Sequence, residues 1–164
     1  MPVLDVTKNL DALTLTVTAE FAADPERVWR LYEDPRRLER WWGPPGYPAT
    51  FLRHELRPGG GSHYFMRGPE GDEHHGVWSV VDVDAPRAFT VDDAFADAAG
   101  TPNTALPTMR LAITLTAGGA GTVLTSVSTF ASAEALQQTL DMGIEEGLRG
   151  AMAQIDGILA EESA

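Results

Sequence analysis

The feature that most constrains this chain is a long amphipathic helix at its C-terminal end. Ser132 is a good N-cap type, and the helical pattern after it runs to about Ala160. Leu140, Ile144, Leu148, Ala151, Ile155 and Leu159 fall on one stripe. At about 1.5 Å per residue such a rod is roughly 40 Å long. Its stripe has to be covered by an apolar surface of matching length. Gly143, Gly147, Gly150 and Gly157 occupy a neighbouring strip, each costing about 1 kcal/mol relative to alanine in a helix interior. Glycines gathered in a strip imply close approach of backbone or ligand, or crowding against a sheet.

The preceding chain supplies that sheet. Leu13, Leu15, Val17, Ala19 and Phe21 alternate with threonines and Glu20, the period-two pattern of a half-buried strand. Asp24-Pro25-Glu26 and then Asp34-Pro35 carry helix-start chemistry, with Asp as N-cap and Pro at the first helical position. Two short helices therefore follow, ending before Gly43-Pro44-Pro45-Gly46. Strands are expected over residues 49–57, 62–67, 75–83, 88–95, 109–115 and 122–130, with a polar loop over 96–107.

The expected fold class is α+β: an antiparallel, roughly seven-stranded curved sheet wrapped around the C-terminal helix, with two short helices after the first strand. A chain of 164 residues fits one domain, residues 1–164, with its core at about 11–160. Where the helix does not fill the concavity a cavity should open. A connected void on the order of a few hundred Å³ is expected.

Bulk properties exclude several function classes. A formal net charge of −12 disfavours nucleic acid and anionic membranes, because phosphate binding needs clustered Lys and Arg, and Lys8 is the only lysine. No run approaches the roughly eighteen apolar residues of a membrane span, so no membrane insertion is expected. The absence of cysteine removes disulfides, thiolate metal sites and thiol nucleophiles. With no secretory signal pattern at the N-terminus, a cytoplasmic location is expected.

Trp41-Trp42 is the sharpest local signal. Neighbouring helical positions point about 100° apart, so one helix face cannot bury both indoles. One should enter the core and the other close over a cavity mouth. Tyr64 and Met66 share a strand face, as do Met109 and Leu111, and with Phe95 they are expected to line that cavity. Ile144 and Leu148 are expected to face it from the helix. His54, placed on one strand face with Leu52 and Leu56, is either a satisfied core histidine or a hydrogen-bonding group of the cavity. Asp92 and Asp93 diverge, so one must turn inward unless a bulge intervenes, although exposure near the strand end is the expectation. Asp72-Glu73-His74-His75 reads as a solvated turn, because adjacent histidines on a strand cannot easily share an ion. No catalytic residue, metal or cofactor is assigned.

From Leu13 to Leu159 the chain resembles the family of homologues of the activator of the heat-shock-protein ATPase, within the START/birch-pollen-allergen (SRPBCC) superfamily. The resemblance rests on Pro25-x-x-Val28-Trp29, Trp41-Trp42-Gly43-Pro44-Pro45-Gly46-Tyr47, Leu56-Arg57-Pro58-Gly59-Gly60, Met66-Arg67-Gly68-Pro69-Glu70-Gly71 and the Gly76 strand. It implies the helix-grip fold, and a superfamily that spans lipid and hormone carriers, cyclases and self-resistance proteins. The separate chaperone-binding domain of the eukaryotic activator has no counterpart here, so chaperone activation is not expected to carry over. The expected function is binding of a small hydrophobic molecule between sheet and helix. A cyclase- or isomerase-like enzyme using a cavity His or Asp is the first alternative, and an interaction or stress-related module without chemistry the second. A homodimer is compatible with the sequence, which has no feature that specifies one.

Overall fold

Eight strands and five helical segments make up the chain in a computed structural model that describes residues 3–163. β1 (Val3–Asn9) and β2 (Thr14–Phe21) lead into α1 (Pro25–Glu33) and α2 (Pro35–Leu38). β3 (Ala49–His54), β4 (Gly61–Arg67), β5 (Glu73–Asp84), β6 (Ala88–Ala96), β7 (Met109–Gly118) and β8 (Gly121–Phe130) follow. α3 (Ala133–Asp141), α4 (Ile144–Met152) and α5 (Ile155–Ser163) complete the chain. The strands form one curved antiparallel sheet in the order β1-β2-β8-β7-β6-β5-β4-β3. This is the α+β helix-grip arrangement expected, with eight strands where about seven were anticipated.

The caps act as the residue types predict. Asp24 accepts from the Arg27 amide at 2.9 Å, Asp34 from the Arg36 amide at 2.9 Å, and Ser132 from the Ala135 amide at 3.0 Å. Each offsets amide donors that the first helical turn leaves without partners. The inner row of β2, Leu15, Val17, Ala19 and Phe21, is buried, while the threonines between are half-buried. Registered against β8, that row continues the core through Leu124 and into β7 at Leu111, Ile113 and Leu115.

Two features depart from the sequence reading. β1 was not anticipated. It pairs only with β2, at the sheet edge, and a register shift between Val3 and Asp5 interrupts its alternation. The C-terminal rod is also broken into three segments. Gly143 sits at φ +87°, a left-handed conformation that ends α3 and restarts the chain as α4. A second break precedes α5, where Gln154 sends its amide nitrogen to the Gly43 carbonyl at 2.8 Å.

That bond ties the helical rod to the loop after Trp41-Trp42. Arg37 adds a 2.5 Å ion pair to Glu162, Arg40 pairs with Glu161, and Arg27 donates to the Leu159 carbonyl at 2.8 Å. The rod's stripe joins the main core at Ala151, Met152, Ile155, Ile158 and Leu159, against Val28, Trp29, Leu31, Tyr32 and the sheet. A smaller cluster of Leu15, Phe130 and Leu136 lies under α3.

Candidate functional site

Trp41 and Trp42 stand in the turn after α2, which ends at Leu38, and not on a helix as expected. Trp41 is fully buried and donates Nε1–H to the Leu31 carbonyl at 3.0 Å. Trp42, half-buried, meets Trp41, Tyr64 and Trp78 edge-to-face at centroid distances of 5.7, 5.9 and 5.0 Å. It thus turns inward as part of an aromatic cluster instead of closing a mouth. The buried N–H groups of Trp42 and Trp78 meet no acceptor with normal hydrogen-bond geometry. Both still lie close enough to the Tyr64 hydroxyl to favour its ionised form, and Trp78 does the same for Asp93.

Asp93 is the polar centre of this region. It belongs to the inner row of β6 with Phe89 and Val91, and it is buried. The Tyr64 hydroxyl donates to Asp93 Oδ1 at 3.0 Å. Burial pushes the Asp93 carboxyl up from its ordinary 3.8 to about 7, restrained by the Tyr64 hydroxyl and by the nearby Trp78 N–H and Ala94 amide. Burial, then the Asp93 charge, also holds the Tyr64 hydroxyl well above 10.0, so it remains a donor. Asp92 faces the other side, where Arg110 grips it with Nε at 2.8 Å and Nη2 at 3.1 Å.

The expectation of exposed aspartates is therefore corrected for Asp93. Strand parity was the available signal, since Phe89, Val91, Asp93 and Phe95 share one phase. The Tyr64 hydrogen bond, with the Trp78 N–H and the Ala94 amide close by, lowers the cost of holding the carboxyl inside.

Beside this pair lies a void of about 100 Å³ between β4, β6, β7 and the α3–α4 break. Tyr64 and Asp93 form its polar wall, while Met109, Phe130 and Ile144 form its apolar wall. Phe95, 38% exposed, stands at its rim with Pro107 and Thr108. The volume is that of about three waters at roughly 30 Å³ each, smaller than the few hundred Å³ expected. A larger groove of about 980 Å³ lies on the opposite face of the sheet, along Leu52, His63, Val77 and Ala94 under the loop at Gly100. It is open, and the charged pair Asp92–Arg110 on it is already matched.

Tyr64, Phe95, Met109 and Ile144, expected around a cavity, meet at the void. Leu111 and Trp41 lie in the packed core, and Met66 and Leu148 are partly buried against it. His54 is held at both ring nitrogens, by Ser62 Oγ at 2.7 Å and the Tyr32 carbonyl at 2.6 Å. A carbonyl only accepts, so Nε2 carries the hydrogen and Nδ1 accepts from Ser62. Desolvation lowers the His54 pKa below 6.5 and keeps the ring neutral. His54 thus clasps α1 to β3 and β4. A bulge between Phe51 and Arg53 leaves Leu52 exposed, so Leu52 does not share the His54 face as its spacing suggested.

The histidine pattern at the β4–β5 hairpin also differs from a solvated turn. His75 has a buried side chain, and its Nδ1 meets His63 Nε2 across the strands at 2.8 Å, while His74 pairs with Asp72 outside. No group of three or more potential metal ligands occurs among the described residues. No helix among them is long and apolar enough to cross a membrane.

Known proteins of the same shape extend these observations. The crystal structure of protein Ms6760 from Mycobacterium smegmatis is 53% identical, with a TM-score of 0.90, over 96% of this chain and 97% of that one. A solution structure of a protein from Arthrobacter aurescens is 45% identical, with a TM-score of 0.92, over 97% and 92% of the two chains. The crystal structure of CalU16 from Micromonospora echinospora, 19% identical with a TM-score of 0.58 over 90% and 79% of the chains, shares the fold alone. No curated protein matches the chain. The family profile described as Activator of Hsp90 ATPase homolog 1-like protein matches residues 22–160. The chain belongs to that family.

Proposed function

We propose that this protein binds a small, mostly apolar molecule, whose end enters the void between the sheet and the α3–α4 break. The observation that carries the reading is a hollow with apolar walls and a single buried polar anchor, the Tyr64–Asp93 pair. Such a combination fixes orientation by one hydrogen-bonding group and affinity by burial. About 100 Å³ accepts a group of single-ring size, not a sterol or a lipid chain. Gly143, the left-handed joint at the edge of the void, is the place where α4 can swing to admit more. The lack of cysteine supports a cytoplasmic setting, and the charge of −12 disfavours nucleic acid as a partner.

Titration with toluene and phenol, followed by the methyl NMR signals of Met109 and Ile144, tests the reading. Saturable shifts at both methyls, lost in an Ile144→Trp variant that fills the void, are expected. Unmoved methyl signals with either probe at millimolar concentration would overturn it.

A second reading, proton transfer, is favoured by one observation: Asp93 faces inward, is held near 7, and has Tyr64 as an orienting partner. It requires a ligand with an acidic C–H beside a carbonyl. Deuterium exchange into such a compound recovered with the protein from its host, unchanged in Asp93→Asn, would remove this reading.

A further inference from the structure

We infer that the occupant of the void is a protonated amine with a small apolar body, seated with its ammonium on Asp93. The inference rests on the binding role proposed above and names the chemistry of the ligand.

The argument is one of missing charge. Asp93 and Tyr64 are the ionisable groups on the wall of the void, and the donors beside Asp93 are neutral: the Tyr64 hydroxyl that bonds it, the Trp78 indole and the Ala94 amide. Arg110, adjacent in sequence to Met109 of the wall, faces outward and is committed to Asp92 through two bonds. The carboxylate is thus positioned by donors but not neutralised. An ionised carboxylate offers about four acceptor sites, and the one hydrogen bond of normal geometry it receives, from the Tyr64 hydroxyl, leaves room for a ligand N–H. A cation placed there supplies the counterion that the protein omits, in a low-dielectric setting where such a pair is strong.

The surrounding groups suit the same ligand. Tyr64, Phe95 and Phe130 border the void and give it an aromatic wall. Met109 and Ile144 offer apolar contact for the remainder of the molecule. An anion would meet Asp93 directly and would approach a chain of net charge −12. A neutral alcohol could bond the carboxyl but would not offset its charge.

Titration of wild-type protein with benzylamine, benzyl alcohol and benzoate at pH 8 separates these chemistries. Benzylamine is expected to bind at least about tenfold more tightly than benzyl alcohol, with benzoate weakest, and Asp93→Asn should erase the preference while retaining benzyl alcohol binding. A second measurement needs no variant. Because the free carboxyl holds a proton below about 7, benzylamine affinity should fall about fivefold from pH 7 to pH 6 while benzyl alcohol affinity stays level. Surface carboxylates, ionised throughout that interval, produce no such fall. Among nearby titratable groups Tyr64 stays protonated, and His54, behind Trp78 at 5.8 Å between ring centroids, has its pKa lowered by burial and does not line the void.

Equal affinity for benzylamine and benzyl alcohol, or a benzylamine affinity level between pH 6 and 7, overturns the amine inference and leaves the pocket standing. Failure of all three probes to bind overturns the pocket as well.

Discussion

Tyr64 reaches Asp93 by lying across Gly76. The two hydrogen-bonded residues stand on β4 and β6, with β5 between them, and a Cβ on Gly76 would fall 2.5 Å from both Cζ and Oη of Tyr64. The glycine is thus what lets a tyrosine bridge two strands within one sheet face. Gly76→Ala is expected to cost about 1–3 kcal/mol by overpacking and to separate the hydroxyl from the carboxyl. In a Tyr64→Ala background the same change should cost far less. A denaturant double-mutant cycle with additive energies would show that the ring and the glycine are independent.

Asp93 makes stability depend on pH with an unusual sign. Its folded-state pKa of about 7 lies above its ordinary 3.8, so between these values the folded chain keeps a proton that the unfolded chain has lost. Its stabilising contribution is full below pH 4 and is lost as pH rises through 7, with a total of up to about 4 kcal/mol. Asp93→Asn should remove this slope. The measurement is the difference in unfolding free energy between wild type and variant from pH 4 to pH 8, which cancels the remaining carboxylates. A difference constant with pH contradicts the burial argument.

His54 carries the opposite sign. Burial lowers its pKa below 6.5, so the unfolded chain takes up a proton first as pH falls, and stability drops from about pH 6.5 downward through the lower folded value. His54→Ala should cost about 1–3 kcal/mol at pH 7.5, because it leaves the Tyr32 carbonyl and Ser62 hydroxyl without this partner. The penalty should shrink at pH 5. Benzylamine and phenol affinities should not change, since the ring does not line the void; a loss of binding in a folded His54→Ala protein would return this residue to the site.

Strand parity made much of the architecture legible. Alternation located β2 and β8 within a residue and the start of β7, which runs three residues past Leu115, and Asp-Pro pairs located the starts of α1 and α2. β1 was illegible because an edge strand needs no clean apolar face, and its register shift hides what alternation it has. Around the void, Tyr64, Phe95, Met109 and Ile144 could be read because each is a large apolar or amphipathic side chain in phase with the core. Asp93 shares that phase but not that polarity, and polarity outweighed parity in the sequence reading. Only the pairing across Gly76 reveals what satisfies it. The void lies beside the break at Gly143, whose left-handed backbone angle an apolar stripe does not encode.

The glycine strip on the C-terminal rod provides the last prediction, because its four members do different things. A Cβ on Gly147 or Gly157 would meet open space, and one on Gly150 would come 3.3 Å from Pro45 Cδ. Close approach is therefore confined to Gly150 and the proline loop, and the strip is not a continuous contact. Gly147→Ala, inside α4, should stabilise the fold by about 0.5–1 kcal/mol through helix propensity and a restricted unfolded chain. Gly143→Ala should do the reverse. Space is free around that residue too, but its φ of +87° strains an L side chain, for a cost of about 1–2 kcal/mol. If α4 opens at this joint to admit a ligand, Gly143→Ala should also change phenol affinity while Gly147→Ala leaves it alone. Thermal unfolding of the two variants side by side gives the energetic half of the test. Equal effects on stability would mean that the break between α3 and α4 does not depend on glycine.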